Sequence, residues 1–235
     1  ISASGRYLAV LYADRLEGVE DLESALHEMI RKTIKDHKRI IFNGNGYDDA
    51  WIQEATEKRG LLNYRTTPDC LPHLLDEKNV AMLTGQGVFT KAELVSRYEV
   101  TLENYCKTVI IEANTMVDMA RTEILPAVQA YALDTAKTAA AKKELIPGCL
   151  CGHETELVKK LSALTDQIAV QTDELEKAVL ALTGMENIGE KSAAVRDIIL
   201  PKMTELRLPC DEAETLTAKK YWPFPTYGDL LFGVR

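Results

Sequence analysis

The sequence predicts an all-α protein. Apolar residues recur at spacings of three and four in three long stretches, residues 90–143, 154–182 and 190–220, and this spacing places them on one face of a helix. No stretch shows the alternation of apolar and polar residues, bounded by turns, that predicts a β-strand. Because short breaks separate the long stretches, we expect consecutive helices to pack antiparallel.

The first part of the chain predicts short helices and turns. We expect the end of a helix at residues 7–15, a turn with positive-φ glycines at residues 43–47, and irregular structure at residues 61–75. Amphipathic or capped patterns predict further helices at residues 21–38, from residue 49 to Gly60, and at residues 76–83. We take residues 1–89 as one region on this basis.

The central pattern predicts one long helix. Thr90 and Glu93 fit the S/T-x-x-E capping box at its start, and the Pro147-Gly148 pair marks its end. Pro126 predicts a kink near residues 124–125, because a proline removes one backbone hydrogen bond. The predicted buried face comprises Leu94, Tyr98, Leu102, Tyr105, Val109, Ala113, Met116, Ala120 and Ile124.

The later stretches complete a predicted long-helix region at residues 90–220. Residues 157–182 carry leucine, isoleucine and valine close to a heptad spacing, which is typical of a bundle or coiled-coil face. Pro201 and Pro209 are expected to bend or divide the last pattern.

Composition excludes some classes of function. The formal net charge of −8 disfavours a nucleic-acid surface, and no run of about 18 apolar residues predicts a membrane span. Five cysteines without regular spacing favour reduced thiols and a cytoplasmic setting. The chain begins with Ile1, which suggests a fragment or a processed product.

No local pattern predicts a catalytic, cofactor or metal site. Residues 43–46, Asn-Gly-Asn-Gly, precede a helix but lack the lysine of a phosphate-binding loop, so turn geometry is the preferred interpretation. Cys149, Cys151 and His153 have cramped spacing for a metal, and a loop with incidental cysteines is preferred. The isolated histidines are interpreted as structural or surface residues, and they are His27, His37 and His73.

Two pairs of acidic residues lie where helices are expected to begin. Asp48 with Asp49 and Asp211 with Glu212 are interpreted as capping residues, since carboxylates are favourable at helix N-termini.

The aromatic tail, residues 221–235, is the candidate docking segment. Aromatic side chains anchor both protein interfaces and internal straps, so an inter-subunit anchor and a strap over the chain's own core both remain open. The candidate residues are Tyr221, Trp222, Phe224, Tyr227 and Phe232.

Several long motifs resemble the C-terminal part of the type III glutamine synthetases. They are KDHKRIIFNGNGY at 35–47, EKRGL at 57–61, SRYE at 96–99, ENYCKT at 103–108, EANTM at 112–116 and YWPFPTYGDLLF at 221–232. The Gly-Val-Phe-Thr motif at 87–90, followed by Glu93 and Tyr98, is also similar to a motif near the end of the shorter glutamine synthetases. Residues 1–6 do not fit the family pattern.

The resemblance implies a piece of an enzyme that joins ammonia to glutamate with ATP through a γ-glutamyl phosphate. It implies that residues 1–89 end the catalytic region and that residues 90–220 form a type III helical extension. The metal and phosphate ligands of the family lie in an upstream barrel, so no catalytic residue, cofactor or metal is assigned to this chain. ATP and Mg²⁺ or Mn²⁺ are expected for the intact enzyme, and the upstream region and a homo-oligomer are the expected partners. The chain alone is expected to be inactive.

Two other classes of function remain open. A free-standing helical interaction module would use the face at residues 157–182 as a coiled-coil docking surface. An independent enzyme using the turn at residues 43–47 is the weaker alternative.

Overall fold

The structure is a computed structural model that describes residues 21–225 and 227–233; the helix expected at residues 7–15 lies outside this part. Every regular element in the described part is helical, which confirms the predicted all-α class. The chain divides into two compact units, Ile1–Thr101 and Leu102–Arg235, here called unit 1 and unit 2.

The helices follow one another with short connections. In chain order they are α1 Leu22–Asp36, α2 Asp49–Gln53, α3 Thr67–Cys70, α4 Glu77–Gly85, α5 Lys91–Met119, α6 Leu125–Leu145, α7 Gly152–Ala181, α8 Ile188–Ala194, α9 Leu200–Leu216 and α10 Tyr227–Phe232. Two 3₁₀ turns, Lys38–Ile40 and Leu71–Leu75, lie in the part of the chain expected to hold short elements. The stretch at 61–75 is therefore more helical than its irregular pattern predicted.

Unit 1 buries few apolar side chains. In its described part these are Ala55, Pro68 and Leu94. Asp21 is the N-cap residue of helix α1, and its carboxylate accepts a hydrogen bond from the Ser24 amide at 3.2 Å. Its apolar stripe remains exposed, with fractional exposures of 38% at Leu26, 45% at Ile30 and 52% at Ile34.

The glycines of the turn at residues 43–47 do not have the positive φ angles that the sequence suggested. Among the described glycines that angle occurs at Gly60, Gly87 and Gly148. Gly60, with a φ of 62°, ends the helical stretch that begins with α2, as predicted. Gly44 is favoured for a different reason, because a Cβ atom there would lie 2.4 Å from the ring of Phe42 and the ring would have to shift.

The capping box at the start of α5 is confirmed. The Glu93 carboxylate accepts a hydrogen bond from the Thr90 amide at 2.7 Å, and the Thr90 hydroxyl accepts one from the Glu93 amide at 3.2 Å. Each residue therefore satisfies an amide of the other at the helix end. The hydrogen bonds that the Thr90 amide and hydroxyl donate to the Glu93 carboxylate hold the pKa of Glu93 below its ordinary value.

Two of the three π-helical turns in the described part interrupt the long helices, each ending two residues before a proline, and the third, Glu54–Lys58, follows α2. Ala120–Ile124 lies between α5 and α6, and Val195–Ile199 lies between α8 and α9. Pro126 and Pro201 follow these turns within the first turn of the next helix. Because proline has no amide hydrogen, the local change from i→i+4 to i→i+5 bonding occurs where the regular ladder is already broken. At the predicted kink near residues 124–125 the helix therefore contains a π-helical turn.

Pro209 behaves differently, because it is buried inside the continuous helix α9. Asp211 and Glu212 therefore lie within α9 rather than at a helix start, and their predicted capping role is wrong. Asp211 instead accepts a hydrogen bond from Arg207 at 3.1 Å, one turn earlier on the helix surface.

Helix α7 lies at the centre of unit 2, packed against α6 and α9. Lys142 and Glu154, near the connecting loop, form an ion pair, and Arg121 contacts Glu176 at the far end of α7, as antiparallel neighbours do. The predicted antiparallel bundle is therefore present. Its core comprises Cys106, Val109, Ala113, Val117, Ala120, Ile124, Val128, Leu161, Leu164, Ile168, Leu175, Val179, Leu182, Val195, Ile199, Leu206, Cys210 and Ala213.

The heptad-like face of α7 is buried in this core. Leu161, Ile168 and Leu175 have no measurable exposure. The face proposed as a docking surface for an interaction module is therefore already covered by helices of the same chain.

Candidate functional site

The first half of the aromatic tail packs on unit 2. Trp222 and Phe224 contact the buried core, with their rings edge to face and their centroids 6.0 Å apart. Tyr221 lies against Tyr131 at 5.2 Å, and its hydroxyl donates to the carboxylate of Asp134. These contacts are those of a strap over the chain's own core, one of the two interpretations that the sequence left open.

This strap closes one side of a cavity of about 190 Å³. Met116, Met119 and Ile124 line one side of it, and Trp222 and Phe224 line another. The lining is mainly apolar, so the cavity suits an apolar group rather than a phosphate or a metal ion.

The second half of the tail has a different environment. In α10 the side chains of Leu230, Leu231 and Phe232 are exposed by 67%, 70% and 80%. Tyr227 begins this short helix. The candidate docking residues therefore have different environments: Trp222 and Phe224 pack on the core, Tyr221 contacts Tyr131 and Asp134, and Phe232 is exposed.

The turn at residues 43–47 is part of a local cluster in unit 1. The rings of Phe42 and Trp51 stack at 3.7 Å, and the guanidinium of Arg59 lies 4.8 Å from the Trp51 ring centroid. Arg59 also donates to the carbonyl of Ile41 at 2.7 Å and to Glu54 at 2.6 Å. Arg59 thus connects the segment before the turn, at Ile41, to the helical stretch after it, at Glu54.

The helix that follows the turn is capped by an acid. The Asp48 carboxylate accepts a hydrogen bond from the Ala50 amide at 3.1 Å, which confirms its predicted capping role. The Asn45 side chain accepts one from the Tyr47 amide at 3.1 Å, the pattern of an Asx turn. With a carboxylate on the helix N-terminus, this arrangement favours turn geometry over a phosphate site.

The residues considered for metal binding do not assemble a ligand set. In the described part of the chain no group of three or more His, Cys, Asp or Glu side chains is placed to hold a metal ion. Cys149 and Cys151 contact each other, with 3.4 Å between their sulfur atoms. His27 and His37 are exposed, and His73 pairs with Asp76 at 2.9 Å while stacking on Tyr64.

Sequence reasoning missed three of these features. It did not identify Arg59 as the centre of a cluster, the contact between the two thiols, or the exposure of the α1 stripe. The aromatic residues around Arg59 offered a signal, because arginine often stacks on tryptophan. The contact between the two thiols depends on the geometry of their loop. The exposure of the α1 stripe depends on which other part of the protein packs against that helix.

In the described residues, no helix is both long enough and apolar enough to cross a membrane.

Comparison with known proteins identifies the family. The profile described as glutamine synthetase C-terminal domain matches residues 25–143, from α1 to the end of α6. The chain therefore belongs to the glutamine synthetase C-terminal domain family.

Three similar proteins carry the name glutamine synthetase. The chain is 38% identical over 216 residues to a glutamine synthetase of Butyrivibrio fibrisolvens, covering 92% of this chain and 31% of the relative. A type-3 glutamine synthetase of Dictyostelium discoideum is 29% identical, over 91% of this chain and 30% of its own length. A glutamine synthetase of Bacteroides fragilis (strain YCH46) is 30% identical, over 89% and 29%. The chain thus spans slightly less than a third of the length of these relatives.

Proposed function

We propose that this chain is the C-terminal part of a type III glutamine synthetase, a ligase whose intact form makes glutamine from glutamate and ammonia with ATP. In this proposal the chain supports the catalytic barrel and the homo-oligomer and carries no catalytic residue of its own. The type-3 relative and the coverage of about nine-tenths of this chain support the assignment. The match covers less than a third of each relative, and this also supports the proposal that the chain is one part of a longer protein.

The observation that carries the proposal is the apolar stripe of α1. Leu26, Ile30 and Ile34 recur every four residues, and all three are exposed. A stripe of this kind is typically covered, because burying one such side chain contributes roughly 1.5–3 kcal/mol. We propose that the upstream catalytic region of the same protein covers this stripe. That region would correspond to the part of the relatives that this chain does not match.

The chemistry is assigned upstream for a related reason. Phosphoryl transfer to glutamate needs Mg²⁺ or Mn²⁺ held by carboxylates, and cationic groups on the phosphates. Three described acids of this chain have structural roles: Asp48 and Glu93 cap helices, and Glu176 pairs with Arg121. ATP and the metal ions are therefore proposed as cofactors of the intact enzyme, which we place in the cytoplasm.

The test uses two proteins: the longer protein that carries this chain at its carboxyl end, and the 235-residue chain alone. Each is assayed for glutamine formation from glutamate, ammonia and MgATP. The longer protein is expected to form glutamine and the chain alone is not. Glutamine made by the chain alone, or none made by the longer protein, contradicts the proposal.

A variant pair tests the role of α1 in the longer protein. Ile30→Lys with Ile34→Lys places charges on the exposed stripe and is expected to lower activity by weakening contact with the catalytic region. Leu180→Lys is the matched control, because Leu180 is 65% exposed on α7 in unit 2. Equal activity of the α1 variant and the control would show that this stripe does not buttress the enzyme.

A stand-alone interaction module is the alternative that the sequence left open. Its proposed docking face, residues 157–182, is buried within unit 2. No observation on that face now favours it, so we propose the ligase part alone.

A further inference from the structure

The loop between α6 and α7 carries two thiols in direct contact. Cys149 and Cys151 are both free, and their sulfur atoms are 3.4 Å apart. A disulfide needs a separation of about 2.05 Å, so a shift of little more than an ångström would allow the bond. The two residues lie in the short connection at one end of the helical bundle.

The backbone of this loop holds the thiols together. Cys151 has φ 47° and ψ 38°, and it is the single residue other than glycine with a positive φ in the described part of the chain. Gly148, with a φ of 90°, turns the chain three residues earlier. A left-handed conformation is unfavourable in a residue with a Cβ atom, so the surrounding contacts must stabilise it.

The two thiols differ in access. Cys149 is half-buried, whereas Cys151 is 6% exposed and directs its sulfur to the carbonyl oxygen of Ala139, 3.6 Å away. Burial, together with the hydrogen bond to Cys149, raises the pKa of the Cys151 thiol. Cys149 is therefore the thiol that an external reagent reaches first, and Cys151 is placed behind it as the resolving thiol.

We propose that Cys149 and Cys151 form a reversible dithiol–disulfide site that is oxidised by a small-molecule disulfide. The thiolate of Cys149 attacks one sulfur of the reagent, which forms a mixed disulfide and releases one thiol. The sulfur of Cys151 then attacks the sulfur of Cys149, which forms the Cys149–Cys151 bond and releases the second thiol. The two protein thiols lose two protons and two electrons in total, and the reagent disulfide takes up both to become two thiols.

Oxidation changes the loop as well as the sulfur atoms. A disulfide has no S–H group, so the Ala139 carbonyl loses the donor that Cys151 supplies. This carbonyl belongs to the last two turns of α6, and Cys151 is the N-cap residue that precedes α7. Oxidation of the pair therefore changes contacts of both α6 and α7. The proposal does not depend on the enzyme activity proposed above.

The test starts from the reduced full chain. It is incubated with glutathione disulfide, the remaining thiols are alkylated, and the product is analysed by intact mass and peptide mapping. The expected product has lost two hydrogens, regains them with dithiothreitol, and yields one peptide with an internal Cys149–Cys151 bond. A wild-type chain that stops at a glutathione adduct, or that leaves both thiols open to alkylation, overturns the proposal.

Single variants test the order of the steps. Cys151→Ser is expected to trap the mixed disulfide on Cys149, and Cys149→Ser to abolish the internal bond. Cys70→Ser is the matched control, because Cys70 is exposed in unit 1, and it is expected to oxidise like the wild type at residues 149 and 151. A trapped adduct on Cys151 in the Cys149→Ser variant, with none on Cys149 in Cys151→Ser, would contradict the assigned roles. The wild-type mapping remains decisive should a variant not fold.

Discussion

Unit 1 and unit 2 are both helical, but they differ in what covers their apolar side chains. In unit 2 the stripe of α7 is buried between α6 and α9, with Leu161, Ile168 and Leu175 fully inaccessible. In unit 1 the equally regular stripe of α1 leaves Ile30 and Ile34 about half exposed. An amphipathic pattern therefore predicts that a helix has an apolar face, but it does not identify the partner of that face.

The largest expected effect lies in the core of unit 2. Leu161→Ala removes a fully buried side chain and should lower the free energy of unfolding by about 2–5 kcal/mol, measured by urea unfolding and circular dichroism. Leu180→Ala, on the same helix but 65% exposed, should change it by no more than about 0.5 kcal/mol. If both variants lost the same free energy of unfolding, the buried face of α7 would not stabilise unit 2 more than its exposed face does.

A smaller effect is expected in the aromatic cluster of unit 1. Gly44→Ala would place a Cβ atom 2.4 Å from the Phe42 ring and displace it from Trp51, at a cost of about 1–3 kcal/mol. Gly46→Ala is the matched control, because a Cβ atom there has no neighbour within 4 Å. The readout is the fluorescence of Trp51 during unfolding, in a Trp222→Phe background. No difference between the two alanine variants would mean that this cluster does not order unit 1.

The ion pairs on the surface of unit 2 should matter less. Hydrogen bonds from Arg121 hold the pKa of Glu176 below its ordinary value of 4.5. A lowered carboxyl pKa stabilises the fold above the pKa of the unfolded state, and this contribution is lost as the pH falls through the folded pKa. Arg121→Gln should therefore lower the urea midpoint slightly at neutral pH and leave it unchanged in acid.

A matched control for that variant is Arg207→Gln, which removes an exposed pair on α9. Exposed pairs one turn apart contribute little, so its midpoint should move less than that of Arg121→Gln. A midpoint difference between Arg121→Gln and wild type that persists in acid would exclude the carboxylate as its cause.

The smallest effect is expected on the exposed stripe of α1. Ile30→Lys should change the free energy of unfolding of this chain by no more than about 0.5 kcal/mol, because the side chain is already 45% exposed. It should also reduce the binding of a dye that recognises apolar surface. A loss as large as that of Leu161→Ala would show that unit 1 covers this face itself.

Local signals made most of the fold predictable. Thr90 and Glu93 fixed the start of α5, and Gly60 the end of the helical stretch before it, because capping depends on neighbours in the chain. Of the predicted face of α5, Leu94, Leu102 and Ala113 are fully buried or nearly so. Periodicity is sufficient for such assignments, since one face of a helix meets one environment.

Other features could not be predicted because they depend on tertiary packing. Pro201 follows a π-helical turn whereas Pro209 lies in a continuous helix, although each comes directly after a leucine in the sequence. Asp211 was therefore placed at a helix start that does not exist. The contact between Cys149 and Cys151 depends on a left-handed backbone at a residue type that rarely adopts it. The exposure of Phe232 likewise depends on how α10 packs, which the sequence pattern does not show.

The paired π-helical turns bear on how the chain tolerates changes of length. A π-helical turn accommodates one more residue than the α-helical turn it replaces. Removing one residue from Ala120–Ile124 can therefore regularise the helix while the residues on either side keep their faces. The same removal in the middle of α7 would rotate every later side chain by about 100° and carry Leu175 and Val179 out of the core. Among related sequences, gaps within these long helices should collect just ahead of Pro126 and Pro201.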